Sequence, residues 1–475
     1  MRKRIGPLYA VLTAFIFIFS FDVHARDARR DELLVDSLPA TWGYSAMSQT
    51  LPDSDVWWKE FSDHVLDSLI TRGVEANFNV AMAARRVEVA RQAIRQAKSA
   101  YYPNIGIRGG WTKSRESGAM TSADMPATNA SYFSIGADMS WQIDIFGKIT
   151  AGVKQRKSQW RASRAEYAGT MVTLCGDIAT AYFNLRVAQA ELEVARNHVA
   201  SQKRVEEITK ARHEAGLASM LDVAQSQTVL YSTEATIPSL ESQVESYINA
   251  IAVLTGSMPG ATEESLRVPA NLPDYRRLIG AGVPADLLRR RPDIAVAEQN
   301  LAASAAALGI AKKDFLPTLS LDGSIGSSAH KFGNLMKDTS FTYTVAPTLS
   351  WTVFSGFSRR AAVVSAREEM EAQIDNYNQT VLTAMQETTN AITTYYNTLK
   401  QIEALQNVVT ASQKSYDLSI DLYKRGLSSF TNVADAQINL LNSANSLIVA
   451  HGQALVSLIN LYEALGGGWE VPSDF

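Results

Sequence analysis

Asn79–Gly109 reads NVAMAARRVEVARQAIRQAKSAYYPNIGIRG, and Asp293–Gly323 reads DIAVAEQNLAASAAALGIAKKDFLPTLSLDG. At an offset of 214, Ala81 matches Ala295, Ala83 matches Ala297, Ala97 matches Ala311, Lys98 matches Lys312, Pro103 matches Pro317 and Gly109 matches Gly323. The echo continues at an offset of 210. Ser140-Trp141 answers Ser350-Trp351, and Gly216-Leu217-x-Ser219 answers Gly426-Leu427-x-Ser429. The duplicated unit is about 200 residues long, too long for a short solenoid period. Each unit must therefore hold a complete set of elements.

After Pro103 the chain alternates. Ile105, Ile107, Gly109 and Trp111 fall on one face, and Asn104, Gly106, Arg108 and Gly110 on the other. Ile135, Ala137, Met139, Trp141 and Ile143 then oppose Ser134, Gly136, Asp138, Ser140 and Gln142. In the second half Leu319, Leu321 and Ile325 oppose Thr318, Ser320, Asp322 and Ser324. Phe341, Tyr343, Val345, Leu349, Trp351 and Val353 oppose Thr342, Thr344, Thr348, Ser350 and Thr352. Period two predicts extended strands with one apolar and one polar face. Polar loops, Ser114–Ala130 and Ser327–Ser340, join each pair into a hairpin. The strand lengths suit tilted transmembrane strands. A soluble sandwich would alternate too. Four strands cannot close a barrel, and an open edge in lipid leaves unpaired main-chain groups. Closure therefore needs other copies of the chain. Trp141 and Trp351 sit at strand ends, where an aromatic belt would lie; packing in a core is the equal alternative.

The remainder reads as helix. From Ile149 to about Arg212 there is no proline. Its apolar stripe runs Leu174, Ile178, Ala181, Leu185, Ala188, Leu192, Ala195, Val199, alternating steps of four and three as in a coiled coil. Gly216 breaks the run. Val223, Ser226, Leu230, Thr233 and Ile237 open the return. Phe357 to Lys424, the break at Gly426, and the series Val433, Ala436, Leu440, Ser443, Leu447, Ala450, Ala454, Ser457, Leu461 repeat the design. Shorter helices are expected at about Ser68–Ala100 and Pro284–Asp314.

The ends and composition set the compartment. Arg2-Lys3-Arg4, the apolar run Leu8 to Phe21, and Val23-His24-Ala25 form a secretory signal with cleavage expected after Ala25. That run is too short to span, and no later stretch reads as a spanning helix. A net charge of −3 with 20% charged residues gives no basic field for nucleic acid. Cys175 is the sole cysteine, so no intramolecular disulfide or Cys/His zinc spacing exists; a packed side chain is the expectation. With no cysteine at the cleavage site, lipidation there is not expected.

The expected division is a signal peptide 1–25, an extension 26–66, repeat 1 over 67–256, a linker 257–283, repeat 2 over 284–467 and a tail 468–475. In repeat 1 the β-hairpin falls at about 103–146 and the α-hairpin at about 148–256; in repeat 2 they fall at about 317–354 and 357–467. The fold class is mainly α with a transmembrane β portion.

This order of elements resembles the TolC/OprM family of trimeric outer-membrane efflux channels, over about Trp57 to Gly468. The resemblance rests on Asp286-Leu287-Leu288-Arg289-Arg290-Arg291-Pro292-Asp293-Ile294 with Ala297-Glu298, on Tyr102-Pro103 and Leu316-Pro317, on Asp144-Ile145-Phe146-Gly147, and on the Gly216-Leu217 and Gly426-Leu427 turns. The first run is similar to the OprM-like, NodT branch. That branch is commonly lipidated on an N-terminal cysteine, and this chain departs from it there. The resemblance implies a homotrimer with a twelve-stranded barrel in outer-membrane lipid and a twelve-helix tunnel in the periplasm of a Gram-negative bacterium. It implies docking onto a periplasmic adaptor and an inner-membrane pump, of RND type, with no cofactor.

The same resemblance assigns residues. The turns at Gly216, Leu217 and Ser219 and at Gly426, Leu427 and Ser429 would meet the adaptor. A family tyrosine bonds across helices to an aspartate, and Tyr423 and Asp222 hold those positions. Asp435 matches one position of an acidic constriction. Its companion is Asn432 here, and an arginine of some members is Ser428, so a weaker closed state is expected. For each polar residue the plain alternative is a solvated helix face, and for Leu217 and Leu427 it is local packing at the turn.

An enzyme is the first rival. The six histidines are scattered, and no HExxH, GxSxG or phosphate-binding loop is present. A non-transporting trimeric coiled coil would leave the strand alternation without a purpose. An outer-membrane channel for type I protein secretion keeps the architecture and changes the cargo.

Overall fold

The computed structural model describes residues 54–116, 128–260, 264–273 and 290–467. The expected signal peptide, most of the extension, part of the linker, and the tail lie outside them.

A 3-10 segment at Ser54–Phe61 leads into α1 (His64–Ala76) and α2 (Phe78–Ser99). Strands β1 (Asn104–Glu116) and β2 (Thr128–Ile143) follow, then α3 (Lys148–Glu214) and α4 (Met220–Leu254). The second half holds α5 (Pro292–Lys313), β3 (Thr318–Ala329), β4 (Phe341–Ser350), α6 (Ser358–Lys424) and α7 (Phe430–Ala464). Three pairs of helices are equal in length between the halves. α2 and α5 have 22 residues each, α3 and α6 have 67, and α4 and α7 have 35. At about 1.5 Å per residue the longest helices reach ~100 Å.

Three expectations are corrected. The helix placed at Ser68–Ala100 is two helices. Asn77 is extended between them, caps α2 by accepting from Asn79 N and Val80 N, and donates its amide to the Leu254 carbonyl at 2.9 Å. The first hairpin loop is shorter than Ser114–Ala130, because main-chain pairing runs on to Glu116↔Thr128, whereas β3–β4 pairing ends at Ser327↔Phe341 and β3 runs on to Ala329 against β2. β4 ends at Ser350, so Trp351 and Val353 lie beyond it. Among the described residues two helices, Pro292–Lys313 and Phe430–Ala464, are long and apolar enough to cross a membrane. Both pack on other helices: Ala297 and Ile294 of α5, and Ala454, Leu458 and Leu461 of α7, belong to the main core.

The strands form one antiparallel sheet in the order β1-β2-β3-β4. Register joins apolar to apolar positions, as in Ile105↔Met139, Trp141↔Leu321 and Ile325↔Tyr343. Most of that face is exposed in a single chain, including Ile107, Tyr343, Val345 and Leu349. Among the described residues, β1 and β4 each pair on one side only.

The core sits midway along the long helices. Trp57 stacks on Tyr462 with centroids 5.2 Å apart, and Phe61 meets Phe183 edge-on at 4.9 Å. Leu174, Ile178 and Leu185 of α3 join Ile248 and Ile251 of α4 and Leu455, Ile459 and Leu461 of α7. The seam residues Val433, Ala436, Leu440, Ser443, Ala450, Ala454, Ser457 and Leu461 are buried.

Candidate functional site

The two helical hairpins end together, and their turns are built alike. Gly216 has φ 72° and Gly426 has φ 76°, left-handed values that suit glycine. Gly216 N donates to His213 O at 2.9 Å and Leu217 N to Arg212 O at 2.8 Å. Gly426 N donates to Tyr423 O and Leu427 N to Leu422 O, both at 2.9 Å. This paired closure satisfies the last carbonyls of each helix. It leaves Leu217 67% and Leu427 71% exposed, so two apolar knobs project from the tip.

The returning helices start differently. Ser219 caps α4, accepting from Asp222 N at 3.2 Å and donating to Asp222 Oδ1 at 2.9 Å. Ser429 stands at the cap of α7 without a side-chain bond. Asn432 instead donates its amide to Ser428 Oγ at 2.9 Å. Asp435, one turn on, is exposed.

Val205, Tyr423, Phe430 and Val433 form a small core at the tip that joins the two hairpins. The Tyr423 ring meets Phe430 edge-on at 5.4 Å. Arg212 lies over its other side, with Cζ 5.0 Å from the ring centroid, and donates from Nη1 to the Lys424 carbonyl at 2.7 Å. Burial, aided by the Asp222 charge, raises the Tyr423 pKa, while Thr209 and Arg212 act in the opposite direction. The hydroxyl makes no well-formed hydrogen bond. The bond expected between Tyr423 and Asp222 is therefore not formed within one chain; Asp222 is engaged by Ser219.

The opposite ends of α3 and α6 carry the joint to the sheet. Asp144 accepts from Ile149 N at 2.9 Å and from Thr150 N at 2.8 Å, capping α3. Burial works to raise its pKa, but these bonds and that of the Thr150 hydroxyl outweigh it and hold the carboxyl below its usual value. This explains Asp144-Ile145-Phe146-Gly147 as a helix start, with Gly147 at φ 73°. Trp141 Nε1 donates to the Tyr101 carbonyl at 3.0 Å and Trp351 Nε1 to the Phe315 carbonyl at 2.9 Å. Each indole thus ties its strand end to the turn entering the neighbouring strand.

The described part of the charged run at 286–294 is a clamp. Arg291 is buried and bonds to Asp293 at 2.7 Å, Glu387 at 2.6 Å and the Ala464 carbonyl at 3.0 Å, joining α5, α6 and α7. It borders a cavity of about 580 Å³ that Glu463 also lines. Burial, helped by Asp177, pushes the Glu463 pKa up to about 7. The sequence reading missed Arg212 and Glu463. A basic residue in a last helical turn is a visible signal for Arg212, but which carbonyl it reaches depends on tertiary placement. Among the described residues, no group of three or more His, Cys, Asp or Glu side chains could hold a metal ion.

The family model described as outer membrane efflux protein matches residues 69–257 and 283–467. The chain is 27% identical over 414 residues to the probable efflux pump outer membrane protein TtgC of Pseudomonas putida, covering 87% of this chain and 85% of that protein. It is 27% identical to the pyoverdine export outer membrane protein OpmQ of Pseudomonas aeruginosa, covering 91% of each. Among solved structures, the outer-membrane channel OprN superposes with a TM-score of 0.85 at 28% identity, covering 91% of this chain and 98% of that one. The outer membrane protein VceC of Vibrio cholerae gives 0.81 at 24% identity, covering 88% and 100%, a likeness of fold.

Proposed function

The chain belongs to the outer membrane efflux protein family, the TolC/OprM-like channels of the outer membrane, and from that premise we propose that three copies close into one continuous exit duct. An efflux role in the outer membrane, with a large periplasmic helical part, follows from the family; the family is one of channels rather than enzymes. In the proposed assembly the four strands of each copy supply one third of a twelve-stranded barrel, and the long helices supply one third of a periplasmic tunnel. The tip docks onto a periplasmic adaptor and, through it, onto an inner-membrane pump of RND type. The duct is passive and binds no cofactor. Its cargo is drugs and other small molecules.

The observation that carries this reading is the pairing of two features at opposite ends of ~100 Å helices. One end holds a sheet with an exposed apolar face and two open edges. The other holds twin turns that present Leu217 and Leu427 to solvent. Tip docking is the role that gives both leucines a purpose, as burial of each on a partner would remove apolar surface from water. Trp141 and Trp351 supply the inner aromatic belt, and Asp222, Tyr423, Asn432 and Asp435 supply the gate.

Deleting the gene should sensitise cells to dyes and antibiotics. A chain carrying Leu217→Glu and Leu427→Glu should fail to restore resistance while still purifying as a trimer. Full restoration would remove the tip from adaptor docking, and a monomeric wild-type chain would overturn the duct.

A further inference from the structure

We propose that the outward end of the sheet is a collar that binds the anionic, phosphate-bearing headgroups of outer-leaflet lipid. The proposal rests on the channel reading above, which sets the apolar face of the sheet in the membrane. Along β1 the residues of that face are Ile105, Ile107, Gly109, Trp111, Lys113 and Arg115. The phase is unbroken, because the register continues through Trp111↔Phe133, Lys113↔Ser131 and Arg115↔Asn129. One face therefore passes from aliphatic to aromatic to basic with distance from the helices. From Trp111 to Arg115 the rise is about 13 Å, a span that carries the strand out of hydrocarbon and through the headgroup layer.

The loop between β3 and β4 completes the collar. Phe332 packs edge-on against Phe133 with centroids 5.6 Å apart, and Phe133 lies on the apolar face. Ser327, on the same face, donates its hydroxyl to the Leu335 carbonyl. His330 Nδ1 lies 2.6 Å from the Ser131 carbonyl oxygen, and Ser340 Oγ donates to Asn334 O at 2.8 Å. The loop is thus folded back over the membrane side of the sheet, with Leu335 buried beneath it. Its outer surface carries Phe332, 72% exposed, and Met336, 85% exposed. Lys331 and Lys337 flank these two, and Asp338 is the loop's single acid.

Two apolar side chains set between lysines, continuous with a lipid-facing band, match an interface where acyl chains meet anionic headgroups. Lys113 and Arg115 extend the same charge along β1. A polar surface exposed only to water would have no use for Phe332 and Met336 at this height.

The test uses the full chain with Met336→Cys, labelled with an environment-sensitive fluorophore and reconstituted into phosphatidylcholine vesicles with and without phosphatidylglycerol. Cys175 does not compete, since it is buried and its thiol is pushed up to about 12. Val345→Cys on the apolar face of β4 and Thr344→Cys on the polar face serve as controls. The expected result is blue-shifted emission at position 336, quenched by headgroup-attached nitroxide lipid. Adding Lys331→Glu and Lys337→Glu should return that emission toward its value in water in the anionic vesicles only. Water-like emission at 336 beside a lipid-embedded Val345→Cys would overturn the collar and leave the channel standing. Water-like emission at both positions would overturn the channel reading as well.

Discussion

Arg212 of the first hairpin holds the second: its Nη1 donates to the Lys424 carbonyl at 2.7 Å while its guanidinium covers the Tyr423 ring. Arg212 therefore adds a polar staple, through the last turn of α6, to the small apolar core that joins the two hairpins at the tip. A gate at this end can open only if that staple lets the hairpins part.

Arg212→Ala should loosen the closed tip. A charge-assisted hydrogen bond at a partly exposed position contributes about 1 kcal/mol, or roughly fivefold in the open population. Single-channel recordings in planar bilayers should show higher conductance or more frequent opening, with Arg212→Lys intermediate because it keeps the charge and loses the fork. Recordings identical to the parent's would place the staple outside the gate.

Tyr423→Phe alone should leave conductance unchanged and thermal stability equal or slightly higher. The hydroxyl it removes is buried without a good partner, and such a group costs about 1 kcal/mol or more. Asp222→Ala should instead lower stability by about 1 kcal/mol through loss of the Ser219–Asp222 contact at the start of α4. If Tyr423→Phe opens the channel as strongly as Asp222→Ala does, the two side chains bond across copies in the proposed trimer.

Asp435 is exposed one turn into α7, while its companion Asn432 is neutral and bonded to Ser428. Asp435→Ala should reduce cation preference and block by multivalent cations. Asn432→Asp should increase both. Reversal-potential measurements in salt gradients would read the change, and equal selectivity in all three proteins would remove Asp435 from the constriction.

Glu463 predicts a pH dependence of stability. Its folded pKa is raised to about 7 from an ordinary 4.5, chiefly by burial and then by Asp177. A carboxyl raised in this way favours the folded state when protonated. That contribution is complete below about pH 4.5 and is lost as pH rises through about 7. The difference is on the order of 3 kcal/mol. Thermal melts of Glu463→Gln should show a flatter pH profile between these limits, and an unaltered slope would assign the dependence to other groups.

The architecture was legible because the repeat prints the same element twice. The matching of Gly216-Leu217 with Gly426-Leu427 marks both tips, and Ser140-Trp141 with Ser350-Trp351 marks both strand ends. Alternation also told which face of each strand is apolar. The break at Asn77 was not legible, since its amide is satisfied by Leu254, a residue 177 positions away. The extension of β1 to Glu116 was hidden because Ser114–Glu116 is polar and reads as loop, while the main chain pairs regardless of side chain. At the tip, the family resemblance pointed to Tyr423 and Asp222, but the partners seen within one chain, Arg212 and Ser219, depend on how the turns pack.

The two margins of the sheet are different strands, β1 on one side and β4 on the other. In the proposed ring such a unit would join its neighbours only head to tail, so every copy would touch two others through unlike seams. A copy with one ruined margin would still recruit a healthy neighbour at the other and then leave the circle incomplete. When sound and damaged alleles are expressed together, most mixed rings would be broken, and the defect would behave as genetically dominant.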